Sequence, residues 1–270
     1  LEKLHHPYII SLKESYKTKS NKLVLVLEYA SDGDLKTKID LRNGEYFSEE
    51  TLCKWFIQII LALKTAHDQR VLHRDLKPSN VFLDSEGNVK LGDFGLAKNM
   101  NNSVQRMSTR IGTPLYIPPE IASGNQYDFK ADVWALGVLF YEMAYLQTPF
   151  FDLDYNSLLE KICNDEIKPL PKHYSESFCD FIMNLLIKNP IDRPSLDTVM
   201  LTNLFQENIK NLPIEREVFE NNKKYSILKL TNENLSQEFN ALRKIRFSDY
   251  KTPNDDEDNN ELLESQLKFT

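Results

Sequence analysis

The sequence has 270 residues, 41% of them hydrophobic, with 33 Lys and Arg against 40 Asp and Glu for a formal net charge of −7. That is enough apolar material to bury one large domain or two modest ones, and the negative charge speaks against a general nucleic-acid binder, which a duplex would repel. No apolar run approaches the ~20 residues that span a bilayer, and the opening Leu1-Glu2-Lys3-Leu4-His5-His6-Pro7 is too polar for a secretion signal, so neither nucleic acid nor membrane is expected as a partner.

Residues 1–30 read as the end of a helix followed by two strands, in Tyr8–Leu12 and Leu23–Leu27. The second run is continuously apolar, as a strand covered on both faces would be. Ser31-Asp32-Gly33-Asp34 breaks it as a turn. From Glu49 to His67, apolar residues at Leu52, Trp55, Phe56, Ile59, Ile60 and Leu63 follow the spacing of an amphipathic helix. A short hairpin is expected next, Val81–Leu83 against Val89–Leu91 around Ser85-Glu86-Gly87-Asn88. Phe129–Leu146 is apolar on nearly every face and belongs in the centre of a domain. Its early charge, Asp132, then requires donors, and backbone amides of a loop packed on the helix are expected to supply them. Ser175 caps a further helix carrying Phe178, Phe181, Ile182, Leu185 and Leu186, which Asn189-Pro190 should end.

After about Asn208 apolar residues thin out, and Asp255-Asp256-Glu257-Asp258 is a solid acidic run. Leu228, Leu235 and Leu242 suggest a weak coiled-coil seam, but Lys224, Thr231 and Glu238 occupy the alternate core positions. A frayed helix followed by disorder is the expected state. Cys53, Cys163 and Cys179 are too scattered for a disulfide framework or a zinc site and read as buried, reduced thiols.

Two stretches on loops beside the hairpin carry chemistry: His73-Arg74-Asp75-Leu76-Lys77-Pro78-Ser79-Asn80 and Leu91-Gly92-Asp93-Phe94-Gly95. Moving a γ-phosphoryl group from ATP requires an aligned nucleophile and neutralised charge, with little covalent work by the protein. Asp75 would accept the proton of a substrate hydroxyl, Lys77 would reach the γ-phosphate, and Asn80 and Asp93 would hold Mg²⁺. Gly95 permits the turn Asp93 needs, and Gly92 leaves space beside it.

These stretches resemble the catalytic and magnesium loops of eukaryotic protein kinases, and the likeness runs to about Asn208. Lys77-Pro78 and Gly112-Thr113 resemble the serine/threonine branch. Asn80–Asp84 and Asn88–Ala97 are similar to the NIMA-related (Nek) kinases. The resemblance implies an α+β, bilobal kinase-like fold with a mostly helical C-lobe and an incomplete N-lobe sheet. Residues 1–30 would be the N-lobe remnant and hinge, 31–208 the C-lobe, and 209–270 an acidic, Asn-rich tail. ATP and Mg²⁺ are the implied cofactors and proteins the implied substrates. Leu27 resembles the gatekeeper, Glu28 to Ala30 the adenine hinge, Phe82 the adenine floor and Asp34 a ribose contact. His73, Phe94 and Leu12 would stack as a regulatory spine, and Glu120 would pair with Arg193. Arg74 would bind a phosphate on the activation loop, where Thr109 matches the family's phosphorylated position, Ser108 is its neighbour and Thr113 follows. Leu115 and Pro118 depart from the family's usual Gly-Thr-Pro-Tyr-Tyr-Met-Ser-Pro-Glu and would reshape the pocket that accepts the residue after the phosphoacceptor.

Because Leu1 is not Met, a longer parent is expected, with the glycine-rich loop, strand lysine and helix glutamate upstream, and the chain by itself is expected to bind ATP poorly. A pseudokinase or scaffold is the alternative if the chain is genuinely this short. The expected location is cytoplasmic, with the cytoskeleton or nucleus as alternatives, and residues 209–270 are the candidate segment for cytoskeletal or self-association.

Overall fold

The computed structural model describes residues 4–94 and 114–221. The chain divides between Glu220 and Asn221 into two units, and the fold below is that of the first.

Strand β1, Leu12–Lys17, pairs antiparallel with β2, Leu23–Leu27, with an irregularity between Leu12 and Glu14. The turn between them closes through Thr18 N to Lys22 O at 2.9 Å, with Asn21 in the left-handed conformation that asparagine tolerates. Two expectations are corrected here. The first strand starts where the apolar run Tyr8–Leu12 ends, because Tyr8, Ile9 and Ile10 are consumed in docking against Leu91 and the interior. β2 is not covered on both faces: Leu23, Leu25 and Leu27 are 63%, 47% and 42% exposed, since among the described residues the ribbon has no further layer to pack on. Residues 4–6 carry no helix either.

A short helix that the sequence reading missed, α1 (Leu35–Asp40), follows the turn at Gly33. The long helix α2 spans Glu49–Asp68, with Ser48 Oγ accepting from Thr51 N and Glu49 and Glu50 in the first turn, where the helix dipole favours them. It is less one-sided than its spacing suggests. Every residue from Trp55 to Lys64 is buried, Gln58 included. After a single 3₁₀ turn at Pro78–Asn80, β3 (Val81–Leu83) and β4 (Val89–Leu91) form the expected hairpin.

Helix α3 (Pro119–Ala122) precedes α4 (Phe129–Tyr145), capped by Asp128 and closed by Leu146 in the left-handed region. All side chains of α4 from Ala131 to Ala144 are buried, as a helix apolar on all sides requires. Phe140 stacks on Phe56 of α2 at 3.6 Å between ring centroids. Gly137 lets α6 (Glu176–Leu185) lie close, since a Cβ there would meet Leu185 Cβ at 2.9 Å. Burying each such phenylalanine stabilises the fold by about 1.5–3 kcal/mol, which makes the layer α2, α4 and α6 the main core. α6 is capped by Ser175 as expected, but it ends at Leu185, before Asn189-Pro190, and the turns that follow carry Arg193 inward. α5 (Tyr155–Asn164), α7 (Leu196–Met200) and α8 (Asn203–Lys210) complete the numbered helices.

A further helix runs over 213–221, and its Glu215 is buried, so the packed unit passes the expected boundary at 208. All three cysteines are free, although only Cys53 is fully buried. Burial pushes the Cys53 thiol up to about 12, so it stays protonated. Two antiparallel pairs beside a mostly helical body make the architecture α+β. The heptad leucines and the acidic run of the tail lie outside the described residues.

Candidate active site

The loop after α2 hangs from a single carboxylate. Asp132 of α4 is fully buried; its Oδ2 accepts from His73 N at 2.9 Å and pairs with His67 Nε2 at 2.8 Å, while Oδ1 accepts from Arg74 N at 3.0 Å and from the Tyr127 hydroxyl at 2.8 Å. The donors expected from a neighbouring loop are therefore these two amides, joined by two side chains. Burial alone would raise the Asp132 pKa; the His67 hydrogen bond and charge and the Arg74 amide outweigh it and leave the carboxyl below its ordinary value. Presenting consecutive amides to one carboxylate puts Arg74 at a φ of 66°. Such strain costs on the order of 1–3 kcal/mol and persists only where the surroundings over-determine it.

That suspension delivers Asp75, Lys77 and Asn80 to one point. Asp75 Oδ2 accepts from Lys77 Nζ at 2.7 Å and from Asn80 Nδ2 at 2.9 Å, and the Asn80 amide also donates to Asp75 O at 2.7 Å. With Oδ2 doubly engaged, Oδ1 has no donor among the described residues and is the oxygen available to a substrate. Asn80 turns its nitrogen inward, which leaves its carbonyl oxygen as the ligand atom.

Asp93 joins through the backbone. Gly92 N donates to Asn80 O at 2.9 Å, and Asp93 follows with an exposed carboxylate at a φ of 53°. The absent side chain of Gly92 leaves room for the Phe82 ring: a Cβ there would lie 2.7 Å from it. Gly92 O meets His73 Nε2 at 2.9 Å, and the His73 ring lies 4.7 Å from Phe94, the pairing expected of the spine. Burial keeps the His73 pKa below its usual value, so the ring is neutral and donates to Gly92 O.

The hinge segment runs beside β3: Asp32 N donates to Leu83 O and Leu83 N to Gly33 O, at 3.0 and 2.9 Å. This sets Glu28, Ala30, Asp34 and Phe82 along one end of the cleft. The Glu28 side chain is directed to the fold, with Oε2 accepting from Ser11 N and Oγ and Oε1 paired with Lys90 at 2.7 Å. Burial opposes ionisation of that carboxyl, yet Lys90 and Ser11 together lower its pKa. The backbone N–H of Ala30 and C=O of Glu28 make no hydrogen bond among the described residues. Asp34 caps α1 through Thr37 N and Oγ1. Leu27 is partly exposed at the end of β2.

Glu120 and Arg193 form a bidentate pair at 2.8 and 2.9 Å. Arg193 also donates to the carbonyls of Ile187, Lys188 and Lys130, so all five of its N–H groups are engaged. Arg74 Nε is buried without a partner among the described residues. Ser108, Thr109 and Thr113 lie outside them, as does Gly95. α4 buries a second carboxylate that was not picked out from the sequence, Glu142, which accepts from the Tyr116 hydroxyl and lies 3.7 Å from Lys36. Burial raises its pKa against the pull of Tyr116 and Lys36. A glutamate in an otherwise apolar helix was the available signal.

The donor set fits a nucleotide with a hard divalent cation: an amide oxygen from Asn80 and carboxylate oxygens from Asp93 suit Mg²⁺, and the unpaired hinge edge suits a purine. Among the described residues there is no cluster of His, Cys, Asp and Glu of the kind that cages a metal without a substrate. No helix of the described residues is long and apolar enough to cross a membrane.

The protein kinase domain model matches residues 1–205. The chain is similar to "Serine/threonine-protein kinase Nek3" of Mus musculus, 42% identical over 200 residues, which cover 74% of this chain and 39% of that protein. It is 40% identical over 200 residues to "Serine/threonine-protein kinase Nek1" of Mus musculus, covering 74% of this chain and 16% of that one. To "Serine/threonine-protein kinase Nek5" of Homo sapiens it is 40% identical over 210 residues, 77% of this chain and 29% of that one. The chain spans less than half the length of these curated relatives.

Proposed function

The chain belongs to the protein kinase family, and from that membership we propose that it carries the phosphate-transfer centre of a NIMA-related serine/threonine kinase, acting on protein hydroxyls with ATP and Mg²⁺. The observation that carries the reading is the joint hold of Lys77 and Asn80 on one oxygen of Asp75, which leaves the other free. Bound MgATP supplies the γ-phosphoryl group. Asp75 Oδ1 takes up the hydroxyl proton while Lys77 and Asn80 keep the carboxylate oriented. Asn80 and Asp93 would hold the metal, Glu28 and Ala30 the adenine edge, Phe82 the adenine face and Asp34 the ribose. A scaffold has no chemical need for Asp75, Lys77, Asn80 and Asp93 together, which is why the enzymatic reading is preferred.

The test is transfer from γ-labelled ATP, by the full-length protein, to matched peptides differing only in a Ser, Thr or Tyr acceptor. Label is expected in the Ser and Thr peptides, absent from the Tyr peptide, and lost on chelating Mg²⁺ or in Asp93→Ala. Label that persists without Mg²⁺, or that appears only on Tyr, overturns the assignment.

A further inference from the structure

The helix over 213–221 lies beyond residue 205, where the match to the kinase domain ends, yet it sends a charged side chain into the body of the molecule. Glu215 is 5% exposed. Its Oε1 accepts from Gln58 Nε2 at 2.7 Å; the same nitrogen donates to Asn88 Oδ1 at 3.1 Å, and Gln58 Oε1 accepts from Val89 N at 2.8 Å. Burial followed by the Glu215 charge raises the pKa of the Tyr8 hydroxyl.

None of these groups touches the catalytic cluster, but two lines lead from them to β4. Gln58 holds its first residue, Val89. Tyr8 holds its last, because Leu91 N donates to Tyr8 O at 2.8 Å and Ile10 N donates to Leu91 O at 2.9 Å. Gly92 and Asp93 come directly after. An apolar side chain would fill the place of Glu215 without the penalty of burying a carboxylate. The polar choice specifies a register, since Glu215 is satisfied only when Gln58 is in place.

We propose that Glu215 is a positioning residue for the phosphate-transfer centre: it ties the helix over 213–221 to Gln58, fixes the start of β4 through Val89, and so holds Asp93 where the metal would be bound. The catalytic consequence rests on the kinase reading above; the mechanical one does not.

The experiment compares Glu215→Ala, Glu215→Gln and Val199→Ala, the last an apolar core position in α7 that sets the effect of stability loss alone. Amide hydrogen exchange and steady-state phosphotransfer are read on the full-length protein. Glu215→Ala should speed exchange at Val89–Gly92 about tenfold beyond any change in Val199→Ala, because it leaves buried groups unmatched. It should also lower kcat several-fold with KM for the peptide unchanged, and Glu215→Gln, which keeps an acceptor for Gln58, should restore both. Equal exchange at β4 in the two alanine variants overturns the proposal. Loosened exchange with unchanged kcat overturns its catalytic half. Loosened exchange in a protein that transfers no phosphate supports the mechanical link and counts against the kinase reading instead.

Discussion

Gly92 sits between the two halves of the candidate site, and its lack of a side chain is what leaves room for the Phe82 ring. Gly92→Ala would drive a methyl against an aromatic ring that β3 holds in place. Overpacking of this kind costs about 1–3 kcal/mol. Urea unfolding of the variant should show that loss, and adding Phe82→Leu should return part of it, because the two positions share one space. Full stability in the single variant would contradict the contact. At this scale the sequence was most legible where chemistry is local: Asp75, Lys77 and Asn80 lie in one loop, so the sequence already groups them. Glu28 with Lys90, Gln58 with Glu215, and Tyr116 with Glu142 were not legible, because each pair meets only through the fold.

Among the elements, α2, α4 and the β3–β4 hairpin followed from periodicity, burial pattern and turn residues. β1 did not, since its Leu-Lys-Glu-Ser-Tyr-Lys sequence is mostly exposed and lacks an alternating apolar face. The segment from Leu4 to Ile10 has no regular structure, yet it bridges β4 at Ile9 and carries a titratable group in its turn. His6 Nδ1 accepts from Tyr8 N at 3.2 Å, and Nε2 is buried without a partner among the described residues. Burial first, and then the Lys90 charge, lower the His6 pKa from 6.5 to about 4. The unfolded chain therefore binds the proton more readily, and stability falls as pH drops from 6.5 toward 4, by up to about 3 kcal/mol from this group. His73 contributes with the same sign. Denaturation midpoints measured from pH 7 to pH 4 should decline less steeply in His6→Gln than in the parent. Identical slopes would show that His6 ionises freely in the folded protein.

In the molecule as a whole, the catalytic loop is suspended rather than supported from one side. α4 holds it from below through Asp132, the β3–β4 hairpin holds Asn80 through Gly92, and the Tyr8–Ile10 segment fixes the strand that leads to Asp93. α+β character and the position of the site were readable from motif and pattern. That the packed unit continues to Glu220 was not, because the apolar residues of 209–220 are scattered among charges with no motif to mark them, and the segment owes its place to partly buried Leu212, Val218 and Phe219 and to one buried carboxylate. The free Oδ1 of Asp75 is the point on which the whole arrangement converges. Single-turnover phosphotransfer by the full-length protein, at saturating MgATP and peptide, compares the parent with Asp75→Asn. Loss of the general base should slow transfer by about 10²–10⁴-fold while nucleotide affinity is retained. Transfer at the parental rate in Asp75→Asn would contradict the assignment of Asp75 as the base.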